Sequence, residues 1–471
     1  VATKKDLVEA YSFSRRRLVT AFVSGAPGGR EVEPVRPGRV LAGGVLLSVL
    51  LLAGAAIAGF LVGRPNSQWL EAGSFVTSKD TGEQYVVLGG GADPVIRRVP
   101  NYISAQLLLG ESELTPYQVR DRYIREVTLG EDLGIDDAPA GLPDPRGLIQ
   151  DGWTACTSAY TGIQLALERR PSVDELTDTA FLVRSAGGLH LIAPDTGGDE
   201  GRVQRFELPS NPTEAGFLAD LLGFGAVEQA PAVGRDWLNL FSRGEPLTEQ
   251  AFEVQQSGQP VDYATDVVDT DLSGYRIGDM VTTDDGSYLL ADDGPQQLTD
   301  FAATVYDAVG PGERLMEGDL RSSPQSPDFP EAWPTTVPAA HLGADMCAVL
   351  HPRSSEAARV TLATAATGEA SPEGLGVGRH AVEVQPSGGA YVQSGADAQA
   401  SEGTPYVIDS AGYKYELVGP DVPDYIGYAD VAAPVVPNAW MDFFDDKVAL
   451  SVNSARRVPE DAAAGTSAGE S

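Results

Sequence analysis

At 471 residues, with 42% apolar and 21% charged side chains, the chain has the composition of folded protein and the length of two to four domains. Its 53 Gly and 33 Pro favour many turns over long helices. The net charge of −34 is unevenly spread: residues 1–39 carry eight Lys/Arg and four Asp/Glu, residues 40–63 none, and the remainder 25 against 63. So acidic a surface repels phosphate backbones, which argues against nucleic-acid binding by the large part.

The N-terminal tail, residues 1–39, contains KKDLVEAYSFSRRRLVTAFV from Lys4 to Val23. Leu7, Tyr11, Leu18 and Phe22 fall near one face of a helix, and Arg15, Arg16 and Arg17 interrupt that face with positive charge. Such an amphipathic helix suits the anionic inner leaflet or a docking partner; a topogenic charge cluster reads equally well. Val40 to Gly63 follows as 24 uncharged, mostly apolar residues. Roughly 20 such residues cross the ~30 Å hydrocarbon layer as a helix. The run is too long and starts too late for a cleaved signal peptide. Arg30, Arg36 and Arg39 add to the cations ahead of the span, with Arg64 just beyond it, so the positive-inside rule places the N-terminus in the cytoplasm. Ala55, Gly59 and Gly63 form a ladder of small residues on which a second helix can approach, although Gly and Ala are common in membrane helices anyway.

Beyond the span, four segments share a pattern of apolar strand, Gly turn and second strand: Phe75–Leu88, Phe181–Ala193, Met280–Ala291 and Tyr406–Val418. Each predicts a β-hairpin, since Gly permits the positive φ of tight hairpin turns. In the first three a helical run ending at Gly follows, at Gly110, Gly223 and Gly310; the fourth runs into PVVPNAWMDFF, so its ending differs. The turn glycines Gly82, Gly188, Gly286 and Gly412 are unevenly spaced, which excludes a solenoid. The fold class expected is therefore α+β: one N-terminal transmembrane helix, then four small β-rich modules around a central domain. The expected boundaries are 64–115 for module one, 116–175 and 312–399 for the central domain, 176–258, 259–311 and 400–455 for modules two to four, and 456–471 for a small, polar, disordered end.

Cys156 and Cys347 are the only cysteines, one between modules one and two, the other between modules three and four. Both lie outside the membrane in this topology, where disulfides persist. A bond between them closes a loop that the chain-entropy model credits with about 5 kcal/mol. The alternative, metal binding, has no accompanying His pattern.

Catalytic signals are sparse. None of Lys4, Lys5, Lys79, Lys414 and Lys447 follows Gly as a P-loop lysine does, and none of His190, His341, His351 and His380 begins HExxH. No GxSxG elbow supports a Ser-His-Asp triad. Asp269, Asp271, Ser273 and Gly274 resemble the start of a calcium loop, but Met280 stands where its bidentate Glu belongs. The pairs Asp284–Asp285, Asp292–Asp293 and Asp445–Asp446 read as solvated turns. No catalytic, cofactor or metal residue is therefore expected.

Several motifs taken in order resemble the EccB family, a membrane core component of actinobacterial type VII (ESX) secretion. Phe13, Arg16, Arg17, Leu18 and Ala21 match its F-x-x-R-R-L-x-x-A stretch, VTSKDTGEQYVV with ISAQLLLG its first repeat, LGIDDAPAGLP its G-I-x-x-A-P segment, and GWTAC, ending at Cys156, its first cysteine. The resemblance implies a four-repeat extracytoplasmic domain around a disulfide-tied centre. It implies a structural subunit of the plasma membrane that scaffolds assembly with an FtsK-like ATPase, a polytopic pore protein and further EccB copies. Phe13, Arg16, Arg17, Leu18, Ala21, Phe22, Ala55, Gly59 and Gly63 are the interface candidates. Some members carry an ATP-hydrolase label, but no nucleotide motif stands here to receive it. The alternatives are a membrane-anchored ATP hydrolase and a protein acting on or binding the cell wall. Cell-wall binding would use Tyr85, Tyr288 and Tyr415 as flat platforms; cross-strand packing is the other use for them.

Overall fold

A computed structural model describes residues 3–24, 37–62, 66–91, 93–158, 162–185, 187–195, 202–263, 272–284, 286–316, 330, 333–353, 358–366, 375–376, 378–397 and 400–459. The chain divides into two units, Val1–Trp69 and Leu70–Ser471. The first holds two helices, Lys4–Ser24 and Pro37–Val62. Proline at the start of the second costs no hydrogen bond, because the first amides of a helix have no partner. Its 26 residues span about 39 Å at 1.5 Å per residue. The stretch Gly38–Ile57 within it is the one helix, among the described residues, long and apolar enough to cross a membrane.

The second unit is built on a six-stranded sheet assembled from two distant segments. Its order is His380–Val384, Ile163–Leu167, Trp153–Thr157, Met346–His351, Arg359–Ala365, Val173–Leu176. Each segment contributes a hairpin and then sends a third strand to the far edge of the other segment's hairpin. Val173–Leu176 pairs with Arg359–Ala365, and His380–Val384 with Ile163–Leu167. The two halves meet where Trp153–Thr157 lies antiparallel to Met346–His351, with Cys156 directly opposite Cys347.

Four further sheets are the modules, each a three-stranded antiparallel meander, with a short parallel strand on both edges in modules one, two and four and, among the described residues, on one edge in module three. Module one orders Tyr117–Val119, Phe75–Ser78, Gln84–Gly89, Val95–Val99, Thr128–Leu129. Module two orders Ser242–Arg243, Val203–Glu207, Gly188–Pro194, Thr179–Ser185, Ala339–His341. Module three has Pro295–Leu298, Gly286–Leu290, Met280–Thr283 and Arg314–Met316. Module four orders Val435–Pro437, Ala390–Gly395, Thr404–Ile408, Tyr413–Glu416, Asp445–Asp446.

Three details differ from the sequence expectation. The hairpin Tyr406–Val418 supplies the second and third strands of module four, whose first strand, Ala390–Gly395, precedes residue 400. The tight turn at Gly412, φ 80°, gave the stronger hairpin signal. Module one extends past residue 115 through its edge strands to Leu129, and Ala339–His341 joins module two. The ending of module four is not unusual. PVVPNAWMDFFDD forms edge strand, short helix Asn438–Met441 and edge strand, the same unit that YQVRDRYIREVTL forms around Asp121–Ile124. In module two the helix Arg235–Leu238 follows an isolated parallel bridge, Ala232 to Arg184, and leads into Ser242–Arg243.

Alternation along the strands decides which module touches which, since successive side chains point to opposite faces. In module two Phe181, Val183 and Ile192 face the central sheet, while Ala180, Leu182 and Leu191 face module three. In module four Ala390, Val392 and Ile408 face the central sheet, while Tyr391, Val407 and Tyr415 face module one. The chain order one, centre, two, three, centre, four thus becomes the packing order one, four, centre, two, three.

The short helices of modules two and four place Trp237 and Trp440, both fully buried, in the same core as Trp153, Ala155, Ala348 and Leu350 of the central sheet. Trp237 Nε1 donates to Ala155 O at 2.9 Å, whereas Trp440 Nε1 is buried with no acceptor. We predict that Trp237→Phe costs about 1 kcal/mol more stability than Trp440→Phe, the worth of one net hydrogen bond. Urea unfolding of the two variants checks this; equal losses would show that the indole hydrogen bond contributes nothing.

Candidate assembly surfaces

The tail helix presents its apolar residues without cover within its own unit. Phe13 is 63% exposed, Leu18 68% and Phe22 92%. Arg16, Arg17 and Ala21 are exposed beside them, as is Ala55 on the apolar helix. Gly59 lies within that helix, and Gly63 lies outside the described residues. The sequence candidates of the tail lie on one helix, and bare apolar groups at this density call for a partner or a lipid surface.

In the second unit the two cysteines are joined, with S–S 2.06 Å. Neither is available to a metal. Cys156 and Cys347 lie with Val349 and Ala363 in a small buried cluster, distinct from the core that receives Trp237 and Trp440. The bond therefore closes the seam between the two chain halves from the second face of the sheet.

The candidate chemical groups are dispersed. His341 packs on Phe181 at 5.1 Å between ring centroids, and His380 on Phe443 at 5.3 Å. His351 sits between Asp151, 2.8 Å from Nδ1, and Glu175, 3.3 Å from Nε2. Lys414 is buried, with Nζ donating to Met441 O at 2.9 Å and 3.4 Å from Asp446. That lysine ties an edge strand to its meander and faces no open site. Among the described residues no group of three His, Cys, Asp or Glu is placed to hold a metal ion. Asp269 and Asp271 of the calcium-like stretch, Asp285, and residues 460–471 of the expected disordered end lie outside the described residues.

Two acidic pairs expected as solvated turns have structural uses. Asp292 accepts from the backbone amides of Gln255 and Gln256 at 2.8 and 2.9 Å. Asp445–Asp446 is an edge strand, held parallel to Tyr413–Lys414. The hairpin tyrosines are not platforms. Tyr85, Tyr288 and Tyr415 are all buried, opposite Val76, Val281 and Val407 on neighbouring strands. Burial and the hydrogen bond from its hydroxyl to Glu83 push the Tyr85 pKa up to about 12.

Two surface cavities stand out. One, of about 330 Å³ in module one, is lined by Glu83, Gln84, Arg98, Asp132 and Asp136, and Arg98 is already paired to Glu83 and Asp132. The other, of about 320 Å³ in module two, is lined by His190, Arg205, Glu207, Arg235, Leu238, Asn239 and Arg243. Sequence reasoning missed this second group. Its only signal was a run of arginines, RVQRFE and FSR, in two strands whose pairing the sequence does not state.

A family model described as "Type VII secretion system ESX-1, transport TM domain B" matches residues 1–464. Two curated relatives, both "ESX-1 secretion system ATPase EccB1", come from Mycobacterium tuberculosis strains CDC 1551 / Oshkosh and ATCC 25618 / H37Rv. Each is 31% identical over 202 residues; the match covers 40% of this chain and spans 40% of the relatives' own length. The fold is similar to that of a chain in an intact ESX-5 inner membrane complex, with TM-score 0.60 and 20% identity over 98% of this chain and 96% of that one. It is also similar to a chain of the EccB3 dimer from the ESX-3 core complex, with TM-score 0.58 and 19% identity over 82% of this chain and 100% of that one.

The seam yields a prediction on stability. Cys156→Ser and Cys347→Ser should each destabilise the folded unit by ~2–5 kcal/mol. Because both remove the same bond, the double variant should lose no more than either single one. Denaturant unfolding of the three variants beside the reduced parent checks this, and fully additive losses would place the stabilisation elsewhere.

Proposed function

Because the chain belongs to the EccB family of type VII secretion systems, we propose that it is a structural membrane subunit of a type VII secretion complex. In this reading the tail of residues 1–39 lies in the cytoplasm, one helix crosses the membrane, and the Leu70–Ser471 unit stands outside as a scaffold. The carrying observation is that Phe13, Leu18 and Phe22 are all exposed on the tail helix, in a chain that also offers a bare apolar helix. A scaffold needs exactly such contacts at one end and a body that holds its shape at the other. The disulfide seam and the four packed modules supply that body.

Further support comes from the relatives. The similar folds belong to chains of an ESX-5 inner membrane complex, of its periplasmic assembly and of an EccB3 dimer. We extend that setting to this chain, with other membrane subunits and further copies of itself as partners. The orientation follows the excess of cations ahead of the apolar helix.

A second reading, ATP hydrolysis, is favoured by the word ATPase in the relatives' names. Lys414, the buried lysine of the second unit, is occupied by Met441 O and Asp446 and is not free to act on a nucleotide. ATP turnover that co-elutes with the isolated chain would carry this reading over the structural one.

Purification from native membranes tests the proposal. The unaltered chain should bring further membrane subunits with it, and the triple variant Phe13→Glu, Leu18→Glu, Phe22→Glu should recover at least tenfold less of them. The Leu70–Ser471 unit of that variant should unfold at the unaltered midpoint. A chain that runs only as a free monomer in mild detergent would overturn the structural reading; full recovery by the triple variant would move the contact off the tail.

A further inference from the structure

We infer that module two carries a binding site for a phosphate-class dianion, in the cavity where Arg205, Arg235 and Arg243 converge. The argument starts from strand register. Val203, Arg205 and Glu207 share one face of their strand, with Phe206 on the other in the core shared with module three. His190 lies opposite Glu207 on the neighbouring strand, and Arg243 lies directly opposite Arg205 on the parallel edge strand. The short helix Arg235–Leu238 then brings Arg235 and Leu238, with Asn239 behind them, to the rim of the same cavity. The fold thus gathers these groups from four segments.

The charges so gathered are not balanced by the protein. Among the described residues none of the three arginines makes an ion pair, although the part of the chain beyond residue 39 holds 63 carboxylates against 25 cations. Arg205 is held only by neutral acceptors, Nη1 donating to Leu238 O at 3.1 Å and Asn239 Oδ1 at 2.8 Å. Burial, and then the neighbouring Arg243, pull its pKa below the usual guanidinium value. His190 is likewise held below the ordinary imidazole value, first by burial, so that it is neutral at pH 7. Three guanidiniums against the single carboxylate of Glu207 leave a surplus of two positive charges. Like charges directly opposed across strands are destabilising, so the fold carries a cost here that an anion would remove.

A second observation comes from the sister modules, where the same step of the same edge pairing is filled differently. Module one opposes Ile96 and Leu129, an apolar pair. Module four opposes Lys414 and Asp446, an ion pair. Of these three modules, module two alone opposes like charges. A cation on the meander strand serves modules two and four alike, since Arg205 reaches Leu238 O as Lys414 reaches Met441 O, but module four balances it with a carboxylate on the edge strand where module two has Arg243. Guanidinium groups bind oxyanions bidentately, and a phosphate or phosphomonoester carries close to two negative charges at pH 7. A cavity of about 320 Å³ admits such a group with room for a substituent. The substituent is either a soluble alcohol or a lipid glycerol, and both present the same oxyanion.

Thermal unfolding of the detergent-solubilised full chain, at pH 7.5 and constant ionic strength, tests the site with inorganic phosphate as probe. Phosphate should raise the midpoint saturably, while chloride and acetate at the same ionic strength should not. Arg235→Gln and Arg243→Gln, both at exposed positions, should each raise the apparent Kd at least tenfold. Arg170→Gln, an exposed arginine elsewhere, should leave it unchanged. Glycerol phosphate and short-chain phosphatidic acid, the latter against phosphatidylcholine, separate the soluble from the lipid source; Arg243-dependent binding of either supports the site. An equal shift with acetate or chloride, or unaltered phosphate binding by an Arg235→Gln, Arg243→Gln double variant that folds as the parent does, overturns it.

Discussion

The whole second unit hangs on one sheet made of two segments that the chain delivers far apart. Trp153–Thr157 and Met346–His351 must find each other across the 191 residues that separate Cys156 from Cys347, and each segment must then lend a strand to the other's edge. Closing so long a loop costs conformational entropy before any contact offsets it. The exchange of edge strands makes the closure mutual, since neither hairpin completes its sheet without the other. The disulfide then removes the open arrangement from the competing states. Until the sheet exists, the inner faces of modules two and four have nothing apolar to cover them, and modules three and one depend in turn on the outer faces of those two.

Much of this was legible because it follows from period and placement. Hairpins announce themselves through alternation and a turn glycine, and the cysteines lie in the only two stretches that no module claims. What the sequence hid is short or distant. Two-residue edge strands such as Thr128–Leu129 and Asp445–Asp446 have no periodicity to read. The strand Ala339–His341 belongs to a module whose meander ended over a hundred residues earlier, and only the folded register reveals that. The missed unit of edge strand, short helix and edge strand did leave a trace: an aromatic followed by an aliphatic, Tyr123–Ile124, Trp237–Leu238 and Trp440–Met441. In modules two and four that aromatic is a tryptophan buried on the central sheet; in module one, which packs on module four instead, it is a half-buried tyrosine. The residue thus records what its helix faces.

The two units show opposite economies of apolar surface. In the second unit even the hairpin tyrosines are buried, as cross-strand partners. In the first, apolar side chains stay exposed along both helices. A soluble fold does not keep such surface bare. For one helix the length and uniform apolarity point to lipid; for the other, exposed apolar side chains interrupted by arginines point to a surface or a partner. The basicity of the tail and the acidity of the second unit fit the proposed orientation, with the tail in the cytoplasm and the body outside.

Repetition of one module on one chain gives an internal control that a single domain lacks. The edge pairing next to the third meander strand is geometrically the same in modules one, two and four, yet it holds Ile96 with Leu129, Arg205 with Arg243, and Lys414 with Asp446. If the pairing were only a matter of closing the sheet, either neutral solution would serve everywhere. In module four the pair is completed by a further tie, from Lys414 to Met441 O beneath the short helix, so its charge is spent on holding that helix to the meander. In module two Arg205 makes the matching tie, Nη1 to Leu238 O, and Trp237 adds a second from Nε1 to Ala155 O of the central sheet. Arg205 thus shares the structural task of Lys414, and the difference lies on the edge strand, where Arg243 stands in place of the carboxylate of Asp446. Arg243 has no such tie and no ion pair among the described residues, so the edge strand does not need its charge to hold the helix, and the proposed anion accounts for its convergence with Arg205 and Arg235.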